Sequence, residues 1–196
     1  MSNIYKVKDS YFKRAKREGY KARSVFKLEE IDKKYHLFHE GDAVLDIGCF
    51  PGSFLQYISM RIGESGIAIG IDMQRVSLRA QNVKTYVYDI LSPEFSEFLR
   101  AKNFIFDVIT SDAAPHTSGV KEVDHACSME LCERVLEITE QSLCEGGWLL
   151  IKVFVGSDFS EFYNTLKKQF LEVRSIKPKA SARSKKEVYL LGMGKR

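Results

Sequence analysis

Between residues 43 and 193, short apolar runs alternate with longer stretches in which apolar residues recur every three or four positions. The runs are AVLDIG (43–48), IAIGID (67–72), TYVYDI (85–90), DVITSD (107–112), WLLIKVF (148–154), LEVRSI (171–176) and EVYLLGM (187–193). Their length and β-branched content predict strands. The spacing turns helical over 52–63, over 125–147, where Gly146-Gly147 supplies a C-terminal stop, and over 157–170. Strands alternating with helices predict an α/β fold, Rossmann-like, with a mostly parallel seven-stranded sheet covered by helices on both faces. No helical pattern separates the last two strands, so an antiparallel hairpin through SIKPKASARSKKE (175–187) is expected at one edge. Ahead of the sheet, 8–18 and 22–36 predict two helices, the second lining up Val25, Leu28, Ile31 and Tyr35, with Leu37 continuing the face.

A chain of 196 residues suits a single domain, expected as a basic helical extension over 1–40 and a core over 41–196. Hydrophobic residues at 44% and charged ones at 29% rule out a disordered or fibrous chain. The amino terminus is basic and polar without an apolar signal region, and no stretch approaches bilayer length, so a cytoplasmic protein without membrane attachment is expected. Cys49, Cys127, Cys132 and Cys144 lack metal-type spacing and read as reduced structural residues, and no metal site is expected.

Charge changes the picture once it is divided along the chain. Residues 1–27 hold nine Lys/Arg against two acids, and residues 174–196 hold eight against one, which leaves the middle acidic. If folding brings the ends together, they form a positive surface suited to phosphate backbones; otherwise they are solvated tails. Tyr5, Tyr11, Phe12 and Tyr20 interleave with the N-terminal cations, in position to pack or to stack on bases.

Ligands of a doubly wound sheet bind beyond the carboxyl ends of its strands. Asp46 and Gly48 close the first strand there, Asp72 the second and Asp112 the fourth, while Asp89 follows the third. The turn DIGCFPGSF has Phe50-Pro51 where a dinucleotide fingerprint needs a glycine-rich helix entry, which weakens a nicotinamide oxidoreductase reading. Several acids repel a diphosphate but suit a ribose diol, an amine and a sulfonium, the groups of S-adenosylmethionine. Asp46 equally suits a capping or loop-bracing role. Lys152 stands inside the apolar run WLLIKVF, where a lysine must pair, point into a cleft or lose its proton; an edge-strand lysine reaching for solvent is the plainer alternative. Asp112 and Glu187, at the ends of neighbouring strands, are placed to hold it.

The segments RSVFKLEEI, LDIGCFPGSFLQY, SDAAPHTSG, LLIKVFVG and KPKASARSKKEVYLLGMG together resemble the FtsJ/RrmJ family of heat-shock ribosomal-RNA 2′-O-methyltransferases over nearly the whole chain. The resemblance implies a class I methyltransferase with S-adenosylmethionine as cofactor. It implies a catalytic tetrad of Lys27, Asp112, Lys152 and Glu187, with Lys152 accepting the 2′-hydroxyl proton, and cofactor contacts at Gly52, Phe54, Asp72, Asp89 and Asp112, beside Asp46 and Gly48. The chain departs from the family in Cys49-Phe50 and Ser53-Phe54, where two alanines and a Gly-Trp pair are common, and in His116, where asparagine is frequent. Phe54 is expected to keep an aromatic wall. Lys6, Lys8, Lys13, Arg14, Lys16, Arg17 and Arg23, with Lys177, Lys179, Arg183 and Lys185, are candidates for an RNA phosphate track. The implied partner is large-subunit ribosomal RNA, or the large subunit itself, met by a monomer at the A-loop uridine. A transfer-RNA ribose methyltransferase and a non-catalytic ribosome assembly factor stand as alternatives.

Overall fold

The computed structural model describes residues 2–115, 119–181 and 187–196, with side chains from Ser10 onward apart from Lys121. Helices α1 (Ser2–Arg17) and α2 (Val25–Tyr35) lead into β1 (Ala43–Ile47), α3 (Ser53–Ile62), β2 (Ile67–Asp72) and β3 (Val83–Val87). There follow α4 (Pro93–Lys102), β4 (Phe106–Ser111), α5 (Lys121–Ser142), β5 (Leu143–Phe154), α6 (Phe159–Gln169), β6 (Phe170–Ile176), a 3₁₀ turn (Lys179–Ser181) and β7 (Glu187–Lys195). Among the described residues no helix is long and apolar enough to cross a membrane.

The seven strands form one sheet in the order β3-β2-β1-β4-β5-β7-β6. β1 to β5 run parallel, and β7 is antiparallel to both β5 and β6, so the expected hairpin forms with β6 as its outer strand. Strand alternation sorts residues between two cores. Leu45, Ile47, Ile69, Ile71, Ile109, Leu149, Ile151 and Leu190 face a core completed by α4, α5 and α6. Val44, Ala68, Val108, Leu150, Tyr189 and Leu191 face a core completed by α2 and α3. By the same two-residue period Asp46, Thr110, Lys152 and Glu187 share the α2–α3 side, which positions the site.

Several boundaries differ from the sequence reading, α1 beginning at Ser2 and β3 at Val83 among them, and two of the differences have a visible cause. The helix expected to run to Gly147 stops at Ser142, and β5 begins at Leu143, opposite Phe106. Gly146, at φ +77°, lies within the strand beside a register shift between Phe106 and Val108, so the glycines accommodate a bulge and do not cap the helix. β3 ends at Val87, earlier than expected: the Tyr88 N–H makes the last bond to β2, on the Asp72 carbonyl (3.0 Å), and Asp89 then turns the chain by accepting the Leu91 N–H on its side chain (2.9 Å) and the Ser92 N–H on its carbonyl (3.1 Å).

The extension is bolted to the core through α2. Phe26 packs against Tyr11 and Tyr20 and lies 4.1 Å beneath the Arg14 guanidinium. The Gln56 side chain accepts the Lys21 N–H (2.8 Å) and donates to the Gly19 carbonyl (2.9 Å), tying the α1–α2 link to α3. Asp32, 1% exposed, accepts from the Phe38 N–H (3.1 Å), the Tyr57 hydroxyl (2.7 Å) and Arg61 Nε (2.8 Å).

Candidate active site

The order of strands reverses between β1 and β4, and the cofactor-side residues gather there. Asp46 and Thr110 are register partners on these strands, and the Thr110 hydroxyl donates to Asp46 Oδ1 (2.7 Å). Asp46 Oδ2 is buried without a hydrogen-bond partner among the described residues. Burial, above all, raises the Asp46 carboxyl to about 8; Thr110 opposes the rise, and the Asp112 and Asp72 charges add to it. A buried acid with one unused oxygen is a receptor for a cationic donor.

The turn after β1 is set by two glycines in the left-handed region. Gly48 (φ +74°) lies so near the β4 exit that an added Cβ would stand 2.7 Å from the Ala113 Cα, so here the glycine answers to the protein's own backbone. Gly52 (φ +108°) precedes α3, where a Cβ would stand 2.8 Å from Val76 and 3.3 Å from the Lys21 side chain. Asp72 accepts the Phe50 N–H (2.9 Å) and the Gln74 N–H (2.8 Å), bracing this turn against the end of β2, with Asp89 just past the end of the adjacent β3. Phe54 differs from expectation. It is 4% exposed and belongs to the α2–α3 core, so it is not a wall of the cleft; the exposed aromatic of the turn is Phe50.

The tetrad residues meet although they lie far apart in sequence. Lys27, on α2, donates to Glu187 Oε1 at 2.7 Å and lies 3.8 Å from Asp112 Oδ1. Lys152 Nζ lies 3.2 Å from the same Asp112 oxygen and donates to the Asp112 carbonyl at 2.5 Å. The result is a charge-alternating row, Glu187, Lys27, Asp112, Lys152. Glu187 joins it because β7 runs backward: its first residue pairs with Phe154, the last of β5, so it emerges at the carboxyl edge of the parallel strands. Lys152, 8% exposed, is paired with Asp112 on an inner strand, so it is not an edge-strand lysine reaching for solvent.

Two hydroxyls that the sequence reading passed over complete the row. Tyr189, wholly buried opposite Lys152, donates to Asp112 Oδ1 (2.6 Å). Ser181 donates to Glu187 Oε1 (2.8 Å). The period-two spacing of Glu187 and Tyr189 places both on one strand face, a signal available in the sequence. Burial of Cys132 pushes its thiol up to about 12, and burial likewise raises Cys49, so both remain unreactive thiols.

The basic candidates divide. Arg14 is engaged inside the protein, with Glu18 (2.9 Å), Glu29 (3.0 Å) and the Phe26 ring, which makes it a fold residue more than a phosphate ligand. Tyr11 and Tyr20 are likewise committed to Phe26, while Phe12 stays 61% exposed. Lys13, Lys16, Arg17, Lys177 and Lys179 are exposed and Arg23 half-buried. The Lys179 N–H donates to Glu30 Oε2 (2.9 Å), so the β6–β7 connection docks on α2, as α1 does through Arg14 and Glu29. The side chains of Lys6 and Lys8, and residues His116, Arg183 and Lys185, lie outside the described residues.

A Rossmann-like sheet, an unsatisfied buried acid at its switch point and an alternating Lys/acid row define a class I S-adenosylmethionine-dependent methyltransferase. The family model of FtsJ-like methyltransferases matches residues 20–195, and the chain belongs to that family. A Bdellovibrio bacteriovorus protein named ribosomal RNA large subunit methyltransferase E is 38% identical over 194 residues, spanning 98% of this chain and 99% of the relative. A crystal structure of a ribosomal RNA methyltransferase from Plasmodium falciparum superposes with a TM-score of 0.77 at 30% identity, over 90% of this chain and 98% of that one. Fibrillarin from Aeropyrum pernix, solved with natively bound S-adenosyl-L-methionine, shares the fold at 16% identity and a TM-score of 0.59, over 79% and 67% of the two chains.

Proposed function

We propose that the protein methylates a ribose 2′-hydroxyl in large-subunit (23S-type) ribosomal RNA, at the A-loop uridine of the assembled subunit, and does so as a monomer in the cytoplasm. The observation that carries the reading is the row Glu187–Lys27–Asp112–Lys152, contributed by one chain and lying beside the switch-point acid Asp46. The names borne by the relatives favour ribosomal over transfer RNA, and a row of two lysines and two acids is more than an assembly factor needs.

S-adenosylmethionine supplies an electrophilic methyl on a sulfonium. Asp46, through its unused Oδ2, is placed to receive the cofactor's ammonium; Asp72 and Asp89, at the ends of neighbouring strands, are placed for its ribose and base. Gly48 and Gly52 shape the turn, and Phe54 holds α3 against the core from below. Lys27 and Asp112 orient the RNA 2′-hydroxyl, and Glu187 holds Lys27 in place. Lys152, as the free amine, takes the hydroxyl proton at Nζ while the 2′-oxygen gains the methyl. Positioning accounts for most of the rate, and the proton acceptor adds to it. Lys13, Lys16, Arg17, Arg23, Lys177 and Lys179, on or beside segments that dock on α2, provide the phosphate-binding surface.

The experiment is transfer of labelled methyl to ribosomal subunits from a strain lacking this methylation, beside total transfer RNA, with the labelled nucleoside identified. A 2′-O-methylated uridine in the large subunit is expected. Label in transfer RNA alone overturns the substrate, and no label in either, with cofactor binding intact, turns the reading to an assembly factor.

A further inference from the structure

Asp112 Oδ1 is shared between a hydroxyl and an ammonium. Tyr189 reaches it at 2.6 Å and Lys152, which also donates to the Asp112 carbonyl, at 3.2 Å, which takes up the about two lone-pair directions of the oxygen, while Lys27 stands outside hydrogen-bond distance at 3.8 Å. The shortest contact comes from the neutral group. A carboxylate oxygen already accepting a strong hydrogen bond has less charge to offer a neighbouring ammonium, so these donors compete.

We propose that Tyr189 is a positioning residue of the methyltransferase site, and that its hydroxyl competes with the Lys152 ammonium for Asp112 Oδ1, easing the departure of the proton from Lys152. The inference rests on the reading of Lys152 as proton acceptor. Tyr189 is built for the part. It is the register partner of Lys152 across β5 and β7, and its ring sits wholly buried in the α2–α3 core, 5.6 Å from Lys27 Nζ. Its rotamer is therefore held by packing, and the hydroxyl points at one atom. Burial first, then the Asp112 carboxylate, pushes the phenol well above its ordinary range, so it stays a neutral donor wherever the enzyme works.

Among the described residues, the charged and titratable groups facing this point come from four elements and the segment after β4. Lys27 comes from α2, Asp112 from beyond β4, Glu187 and Tyr189 from β7, and Asp46 of β1 acts on Tyr189 through space. From α5, Cys132 donates only to the Lys152 carbonyl (3.6 Å). A buried tyrosine kept merely for packing would also find its hydroxyl a partner. The two roles differ in what removal of the oxygen does to Lys152.

The test uses the full chain. Lysines carrying ¹⁵N at Nζ report the Lys152 titration by NMR, with Lys152→Ala identifying the signal, and kcat is followed against pH on the RNA that the parent methylates. Tyr189→Phe is expected to move the Lys152 midpoint and the rising limb of kcat to higher pH, to lower kcat at neutral pH by about tenfold, and to leave both KM values within about twofold. Installing 3-fluorotyrosine at position 189, a stronger donor of nearly the same shape, is expected to move both to lower pH. It also keeps the question open to measurement if the Phe variant fails to fold. A midpoint and profile coinciding with the parent's, in a variant that melts like the parent, overturns the proposal and leaves the hydroxyl as a satisfied buried group. A parent that methylates no RNA defeats the function proposed above, while the NMR midpoint still decides the role of Tyr189.

Discussion

Lys152 and Asp46 are the two residues whose burial demands a reason, and each makes a prediction. Lys152→Ala removes the proton acceptor but leaves the Asp46 side of the cleft intact, so kcat is expected to fall by about 10³-fold or more while cofactor affinity changes by less than about twofold. Calorimetry and a methyl-transfer assay check the split. Asp46, raised to about 8 by burial, is largely protonated at neutral pH in the free protein. A cationic ammonium favours its ionised form, so binding must expel that proton below pH 8. Cofactor affinity is therefore expected to rise with pH up to about 8 and then level, with proton release visible in buffers of different ionisation enthalpy. In Asp46→Asn both effects vanish; a pH-independent affinity in the parent refutes the assignment. The sign for folding follows from the same shift. An acid raised from its ordinary 3.8 to about 8 contributes stability in full below the lower value and loses it as pH climbs through the upper one. Both residues were legible in the sequence as polar side chains within apolar strands. Tyr189 and Ser181 were not singled out, because an aromatic or a serine near a strand looks ordinary until its partner oxygen is located.

At the scale of elements, α2 is the part on which the site depends, since it carries Lys27 and receives both basic segments. Its hold on α3 runs through Asp32, which collects Tyr57, Arg61 and the Phe38 N–H at a buried point. Asp32→Ala leaves a buried hydroxyl, an N–H and a guanidinium without their acceptor and is expected to cost about 3 kcal/mol, read as a lowered melting temperature. The variant's activity should fall with its folded fraction, because no tetrad residue is touched. Gly48→Ala is expected to destabilise as well, since its Cβ would stand 2.7 Å from the Ala113 backbone, and to displace the Asp112 loop together with the turn. Strand periodicity disclosed the seven strands and which of their residues share a face, while α4 was not singled out. It misjudged the junction of α5 and β5, because Gly146-Gly147 signals a helix stop and a strand bulge with the same residues, and only the pairing of Leu143 with Phe106 decides between them.

At the scale of the whole molecule, charge is the organising quantity, and the exposed cations predict how RNA binding answers to salt. Affinity is expected to fall steeply with ionic strength, and each of Lys177→Ala and Lys179→Ala to reduce the slope of log affinity against log salt by about 0.7 to 0.9. Arg14→Ala is expected to leave the slope nearly unchanged and to lower the melting temperature, because its guanidinium is spent on Glu18, Glu29 and Phe26. Filter binding across a salt series, beside thermal melts, separates the two behaviours. Sequence by itself determined the α/β class, the strand-end acids, the embedded lysine and the basic ends, because alternation, burial preference and charge are local properties of residue order. Lys27 entered through resemblance, since a helical lysine at a single position carries no sign of its partner. What the tertiary structure alone decided is convergence: the reversed direction of β7 delivers Glu187 to the carboxyl edge, and the docking of α2 brings Lys27 to it. Those contacts join residues as much as 160 positions apart, and only the closed topology of the sheet and its covering helices determines which of the chain's charges meet.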